Sequence, residues 1–157
     1  MSGRALPDVG KILAPLLGAV APAERALLLA IAERMAAERY RGWAAQVDDA
    51  AVRAGLLACA AREDEIATKV EAVHVDAATV QARLRAGHPE LVEINASIFA
   101  DRPLAEQFAI QASGERLGAN TWRAFAAAHP DPMARAAFLA CAPLEEASAV
   151  FLESLRP

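Results

Sequence analysis

Four glutamates, Glu33, Glu63, Glu115 and Glu145, each stand inside a run of apolar residues spaced three or four apart. Around Glu33 the stripe is Ala26, Leu29, Ala30, Ala36, Ala37, Tyr40, Trp43, Ala44 and Val47, and around Glu63 it is Leu56, Cys59, Ala60, Ile66, Ala67, Val70 and Val73. Glu115 lies among Phe108, Ala112, Ala119, Trp122, Phe125 and Ala126, and Glu145 among Phe138, Cys141, Ala142, Ser148, Ala149 and Leu152. Such spacing puts each carboxylate on the buried face of a helix. A carboxylate taken into an apolar core loses several kcal/mol of solvation and repels its like-charged neighbours, so the charge has to be neutralised. Divalent metal ions, protons shared between carboxylates, or arginines reaching in from Arg34 and Arg116 would do so. An all-oxygen donor set favours iron, manganese or magnesium over soft metals.

The elements that carry these residues follow from the punctuation. Helices are expected at about 22–47, 49–74, 103–128 and 133–155. Pro22 and Pro103 open the first and third, with Glu24 and Glu106 in the first turns, where the helix dipole favours an anion. Asp48-Asp49 and His129-Pro130-Asp131-Pro132 separate the members of each pair. Residues 75–102 form a long crossover, cut by Gly87-His88-Pro89 and Asp101-Arg102-Pro103, with a short helix at 90–99. Residues 1–21 precede the helices as an N-terminal extension. Two helical hairpins joined by one long link make an all-α, four-helix bundle.

The two hairpins read as copies. At one constant offset, Ala30–Ala45 aligns with Ala112–Ala127 and Leu57–Glu71 with Leu139–Glu153, and 14 of the 31 positions are identical. Half of the identities are alanine, so the weight rests on Glu33/Glu115, Glu63/Glu145, Arg34/Arg116, Arg41/Arg123, Cys59/Cys141 and Glu71/Glu153. Hairpins turning near residues 48 and 130 bring Glu33 opposite Glu63 and Glu115 opposite Glu145, so four carboxylates converge at one height. Glu24, Glu71, Glu106 and Glu153 form a second repeated set, assigned to helix ends and surface.

With these residues in place the chain resembles the ferritin-like superfamily, of the bacterioferritin and rubrerythrin type, over about residues 22–155. In that pattern a glutamate from each of two helices and a Glu-x-x-His from each of the other two project inward. Glu33 and Glu115 match the lone glutamates; Glu63 and Glu145 match the other two, but Ile66 and Ser148 stand where the histidines belong. The resemblance implies two iron or manganese ions held by Glu33, Glu63, Glu115 and Glu145, and oxygen, peroxide or ferrous-iron oxidation chemistry. The alternative is a bundle of the same ancestry that holds no metal and serves as a binding or structural module. Glu71-Ala-Val-His74 has the Glu-x-x-His spelling, but it lies beyond Glu63 and its counterpart is Glu153-Ser-Leu-Arg156, so it reads as chance. His88 and His129 precede prolines in connections and read as loop residues. Tyr40 and Trp122, two turns from their glutamates, read as core residues with a polar handle.

Composition sets the outer bounds. The chain has 157 residues, of which 41 are alanine and 17 leucine, with 5% aromatic residues, which suits one helical domain and excludes an all-β fold. The formal charge of −4 argues against nucleic acid as a partner. No apolar run reaches the ~20 residues of a membrane span, so no membrane partner is expected. Cys59 and Cys141, both within Leu-Ala-Cys-Ala, read as small buried apolar residues of a reducing, cytoplasmic compartment. A cleaved N-terminal signal ending near Ala21 is the alternative localisation. The alanine-rich faces and the architecture suggest a homo-dimer.

Overall fold

The computed structural model describes residues 5–156. Every regular element among them is helical: α1 Val9–Ala19, α2 Arg25–Ala44, α3 Ala50–Ala72, α4 Ala77–Gly87, α5 Glu90–Phe99, α6 Leu104–Ala128 and α7 Pro132–Ser154, with a 3-10 turn at Pro22–Glu24 ahead of α2. None of these helices is long and apolar enough to cross a membrane.

Two of the four long helices, α3 and α7, begin at aspartate caps. Asp49 accepts from the backbone N–H groups of Ala51 and Val52, and Asp131, its counterpart in the second hairpin, accepts from those of Met133 and Ala134. Each aspartate therefore satisfies donors that the first turn of its helix leaves unpaired. α2 packs along α3 and α6 along α7, while α3 and α7 join the two hairpins. α2 and α6 stay apart, and the gap between them holds the cavity described below.

The ion pairs on the outside of the two hairpins correspond. Arg34 pairs with Glu71 at 2.7 Å and Arg116 with Glu153 at 2.7 Å, while Arg41 pairs with Asp64 and Arg123 with Glu146. Each residue of one hairpin's pairs matches its equivalent in the other at the repeat offset. This places Glu71 and Glu153 on the partly exposed faces, as expected. Of the three means of neutralising the inner glutamates, it argues against inward-reaching Arg34 and Arg116, because their guanidinium groups are taken up by carboxylates on the neighbouring helix.

The interior divides at the level of the glutamates. One apolar cluster contains Ala26, Ala30, Ile66, Val70, Trp122, Ala126, Phe138 and Cys141; the other contains Ala37, Tyr40, Trp43, Leu56, Cys59, Phe108, Ala112 and Leu152. In each long helix, residues before the glutamate belong to one cluster and residues after it to the other. The buried carboxylates thus lie between two dry layers that fix the height of the helices relative to one another. Burial of aliphatic and aromatic side chains on both sides, at about 25 cal/mol per Å² of apolar surface, offsets the cost of holding acidic groups between them.

Two segments carry more structure than their sequence suggests. The crossover contains α4 as well as the expected helix α5, and α4 buries Gln81 and Leu84. The N-terminal extension contains α1, whose Leu16, with the adjoining Val20, packs in a third cluster with Leu27, Leu28, Ile31, Leu84 and Leu91. The first four residues of the extension lie outside the described residues. Pro15 sits inside α1, and Asp8 caps its first turn by accepting from the Lys11 N–H at 3.0 Å.

Candidate metal centre

Glu63, Glu115 and Glu145 are at most 2% exposed. Glu33 is half-buried as a residue and lines the cavity, although its carboxylate lies deep among its neighbours. Oxygens of Glu33, Glu63 and Glu145 all lie within 4.8 Å of one another, a spacing that could hold one cation. Glu115 faces this trio closely enough to raise the proton affinity of Glu33, Glu63 and Glu145 by charge repulsion. All four predicted residues are therefore brought into one cluster.

The protein's own donors satisfy only part of it. Glu115 Oε1 accepts from the Tyr40 hydroxyl at 2.6 Å and from Gln111 Nε2 at 2.7 Å, while Glu145 Oε1 accepts from Trp122 Nε1 at 2.8 Å. Ser148 Oγ stands 3.4 Å from Glu63 Oε1. Glu63 Oε2 and Glu115 Oε2 are buried with no hydrogen-bond partner. Among the described residues, no lysine or arginine forms an ion pair with any of the four. A buried carboxylate oxygen left unpaired is costly, so the site is short of protons or cations.

Proton affinities express the same shortage. Burial, reinforced by the neighbouring Glu115 charge, pushes Glu33 up to about 7. Burial, then Glu115 and Glu33, hold Glu63 well above the ordinary carboxylate range; burial and Glu33 do the same for Glu145. Tyr40 is also held well above its usual value, first by burial and then by the Glu115 charge, so it remains a donor.

Gly118 makes room for this arrangement. A methyl group there would come within 2.4 Å of Glu145 Oε1, so the Glu145 carboxylate occupies the space that a side chain on α6 would fill. Gly118 and its counterpart at the repeat offset, Ala36, both line the gap between α2 and α6.

That gap is a cavity of about 120 Å³ that touches Glu33, Glu115 and Glu145. Arg39 lies along it: Nη1 donates to Gln111 Oε1 at 2.8 Å, Nη2 donates to Asn95 Oδ1, and the guanidinium carbon sits 4.1 Å from the Phe99 ring centre. Enclosure lowers the Arg39 proton affinity to about 10, with the neighbouring glutamate charges acting in the opposite direction. Gln111 thus links Arg39 to Glu115.

Several of these residues escape a reading by apolar stripe. Gln111 lies four residues before Glu115 on the same face, and Arg39 six after Glu33. The available signal for Arg39 was a break in the repeat, since its counterpart is Thr121; Gln111 stands opposite Leu29 at the same offset, just outside the aligned residues. Tyr40 and Trp122, expected as core residues with a polar handle, use that handle on the carboxylates themselves.

The remaining candidates lie elsewhere. Ile66 belongs to an apolar cluster, whereas Ser148 is buried beside Glu63. Glu71 is engaged by Arg34 and Gln81, and His74 Nδ1 lies 2.8 Å from the Val70 carbonyl. His88 contacts Glu90, and His129 Nδ1 accepts from the Asp131 backbone N–H. Cys59 and Cys141 are free and buried, and burial pushes Cys141 up to about 12 and raises Cys59. No protein-family model, curated protein or solved structure matches the chain.

Proposed function

We propose that the chain is a ferritin-like four-helix bundle built from two copied hairpins, and that Glu33, Glu63, Glu115 and Glu145 hold two iron or manganese ions. The observation that carries this reading is the pair of buried, unpartnered oxygens, Glu63 Oε2 and Glu115 Oε2, within a cluster that receives no protein cation. An all-oxygen donor set suits hard divalent ions. Such ions, when bound, supply oxidation by dioxygen or peroxide, or the oxidation of ferrous iron.

The chain's own residues perform the supporting work. Tyr40 and Gln111 orient Glu115, Trp122 orients Glu145, and Ser148 lies against Glu63. Hydrogen bonds of this kind keep carboxylates in place and adjust their basicity. The apolar clusters on both sides exclude water, and the cavity beside Glu33 gives a small molecule access. The caps and outer ion pairs that recur at the repeat offset support the copied-hairpin architecture.

The metal-free reading has its own observation. Ile66 is packed in an apolar layer where a ligand histidine would be needed, and proton sharing among Glu33, Glu63 and Glu145 offers neutralisation without metal. Elemental analysis of protein purified without chelator, and again after reconstitution with ferrous iron or manganese, separates the two. Binding of about two ions per chain, lost in the Glu33→Ala plus Glu115→Ala variant, is expected. A folded protein that stays metal-free after aerobic and anaerobic reconstitution overturns the metal site and leaves the binding or structural module.

A further inference from the structure

We infer that the pocket at the end of the bundle where α2 and α7 begin and α3 and α6 end binds an aromatic carboxylate. Its ring takes the place that Phe108 fills at the opposite end, and its carboxylate pairs with Arg25. None of the four inner glutamates lines this pocket, and the inference does not depend on metal there.

The repeat offset, followed to the ends of the long helices, gives the two ends of the bundle equivalent positions. At the end where α2 stops and α6 starts, aromatic rings close the interior. The Trp43 ring centre lies 5.2 Å from that of Phe108 and 5.8 Å from that of Phe99, both edge-on, and Trp43 Nε1 donates to Gln107 Oε1 at 2.8 Å. At the other end the counterparts of Trp43, Phe108 and Gln107 are Phe125, Ala26 and Arg25. Phe125 and Phe138 still form an aromatic wall, with ring centres 6.3 Å apart, but Ala26 sets no ring against it. What remains is a pocket of about 640 Å³ that Ala26, Phe125 and Phe138 line. That volume falls within the roughly 300–1,000 Å³ of small-molecule sites. An aromatic ring set edge-on to Phe125 restores the contact that Phe108 makes with Trp43.

The ionisable side chains lining the pocket are Arg25, His74 and His129, with no aspartate or glutamate among them. Arg25 Nε donates to the Leu17 carbonyl at 3.0 Å and the Val20 carbonyl at 3.1 Å, which anchors the guanidinium. Among the described residues its Nη groups have no partner. With Nε engaged, the edge formed by the two Nη groups is left, and its parallel N–H groups match the two oxygens of a carboxylate. The histidines pack against Phe138, with ring centres 6.5 Å away for His74 and 5.6 Å for His129. His74 Nδ1 donates to the Val70 carbonyl at 2.8 Å, whereas His129 Nδ1 accepts from the Asp131 N–H at 3.1 Å. In the neutral rings, Nε2 is therefore an acceptor on His74 and a donor on His129. His129 adds a donor for a carboxylate, and His74 an acceptor for a ring N–H or O–H. A protonated His129 Nε2 is no metal ligand, so this pair does not point to a cation.

Indole-3-acetate combines the ring, the carboxylate and a ring N–H. Titration calorimetry of the full chain, with chelator present so that no metal takes up the carboxylate, should give saturable 1:1 binding. Indole-3-acetamide should bind at least about tenfold more weakly, because the charge-assisted hydrogen bonds are missing. Two variants install the residue found at the opposite end. Ala26→Phe should abolish binding without lowering the melting temperature, since Phe108 is accommodated at the equivalent position. Arg25→Gln should weaken indole-3-acetate at least about tenfold and leave indole-3-acetamide unchanged. Absence of saturable binding, equal affinity for acid and amide, or undiminished binding by Ala26→Phe overturns the inference. If Ala26→Phe does not fold, undiminished binding of indole-3-acetate by Arg25→Gln overturns it.

Discussion

The Tyr40 hydroxyl donates to Glu115 Oε1 at 2.6 Å, joining α2 of one hairpin to α6 of the other. Its counterpart at the repeat offset, Trp122, turns its indole N–H instead to Glu145 within its own hairpin. The same fold position therefore supplies a donor twice, but to carboxylates on different sides of the cluster. Tyr40→Phe keeps the ring packing and deletes one donor to a buried acid. We expect a loss of about 1–3 kcal/mol in urea unfolding at pH 7 and a roughly 10- to 100-fold loss in ferrous or manganese affinity. Unchanged stability and affinity would remove Tyr40 from any role at the site.

Gly118 is the second test, because its missing side chain is the space occupied by the Glu145 carboxylate. Gly118→Ala should displace Glu145 and reduce bound metal, read by elemental analysis, despite the better helix propensity of alanine. Gly114→Ala, four residues earlier on the same helix, meets nothing and should be neutral or stabilising by roughly 0.5–1 kcal/mol. Equal metal content in the two variants would show that the close approach has no bearing on the site.

The pH dependence of the metal-free protein has a definite sign. Glu33 is raised to about 7, first by burial, and Glu63 and Glu145 are raised as well. From about pH 4.5 upward the unfolded chain releases protons that the folded chain keeps, so stability falls as pH rises through about 7 and above. Glu33 alone contributes on the order of 3 kcal/mol to that fall. Groups lowered by surface pairs, such as Asp64 beside Arg41 and Arg34, act in the opposite sense but only in more acidic solution. Urea midpoints with chelator present should therefore decrease from pH 5 to pH 8, whereas metal-loaded protein should gain stability over the same interval as metal displaces the retained protons. A chelated protein whose midpoint rises with pH would contradict the shared-proton arrangement.

Replacing Glu63 by glutamine separates stability from binding. The amide keeps the shape of the side chain and frees the folded protein from holding a proton on a group that the unfolded chain ionises and whose second oxygen is buried and unpaired. Glu63→Gln should stabilise the chelated protein at pH 8 by about 1–3 kcal/mol and should reduce metal binding. Destabilisation at pH 8 would contradict a raised proton affinity at Glu63.

Much of this organisation was legible in one dimension. The four long helices appear close to the expected bounds, since Asp49 and Asp131 cap their helices and the intervening aspartates and prolines stop them. The inward glutamates were visible because helical spacing fixes which face a residue takes, and turns near residues 48 and 130 set the two glutamates of each hairpin opposite one another. Helix α1 escapes this reading, because only Leu27, Ile31 and Leu84, brought up from α2 and α4, give Leu16 something to pack against.

Sequence alone determined the helical class, the hairpin pattern and the four acidic positions, because caps and the 3.6-residue period are local properties. It did not determine where a flexible cation would end. Arg34 and Arg116 carry the repeat signature yet reach outward to Glu71 and Glu153, whereas Arg39, which breaks the repeat, runs along the cavity. A long side chain sweeps a radius larger than the spacing between helices, so its destination depends on which partner the neighbouring helix presents. Likewise, the unpaired oxygens of Glu63 and Glu115 and the close approach of Gly118 to Glu145 exist only once helices distant in sequence are packed together.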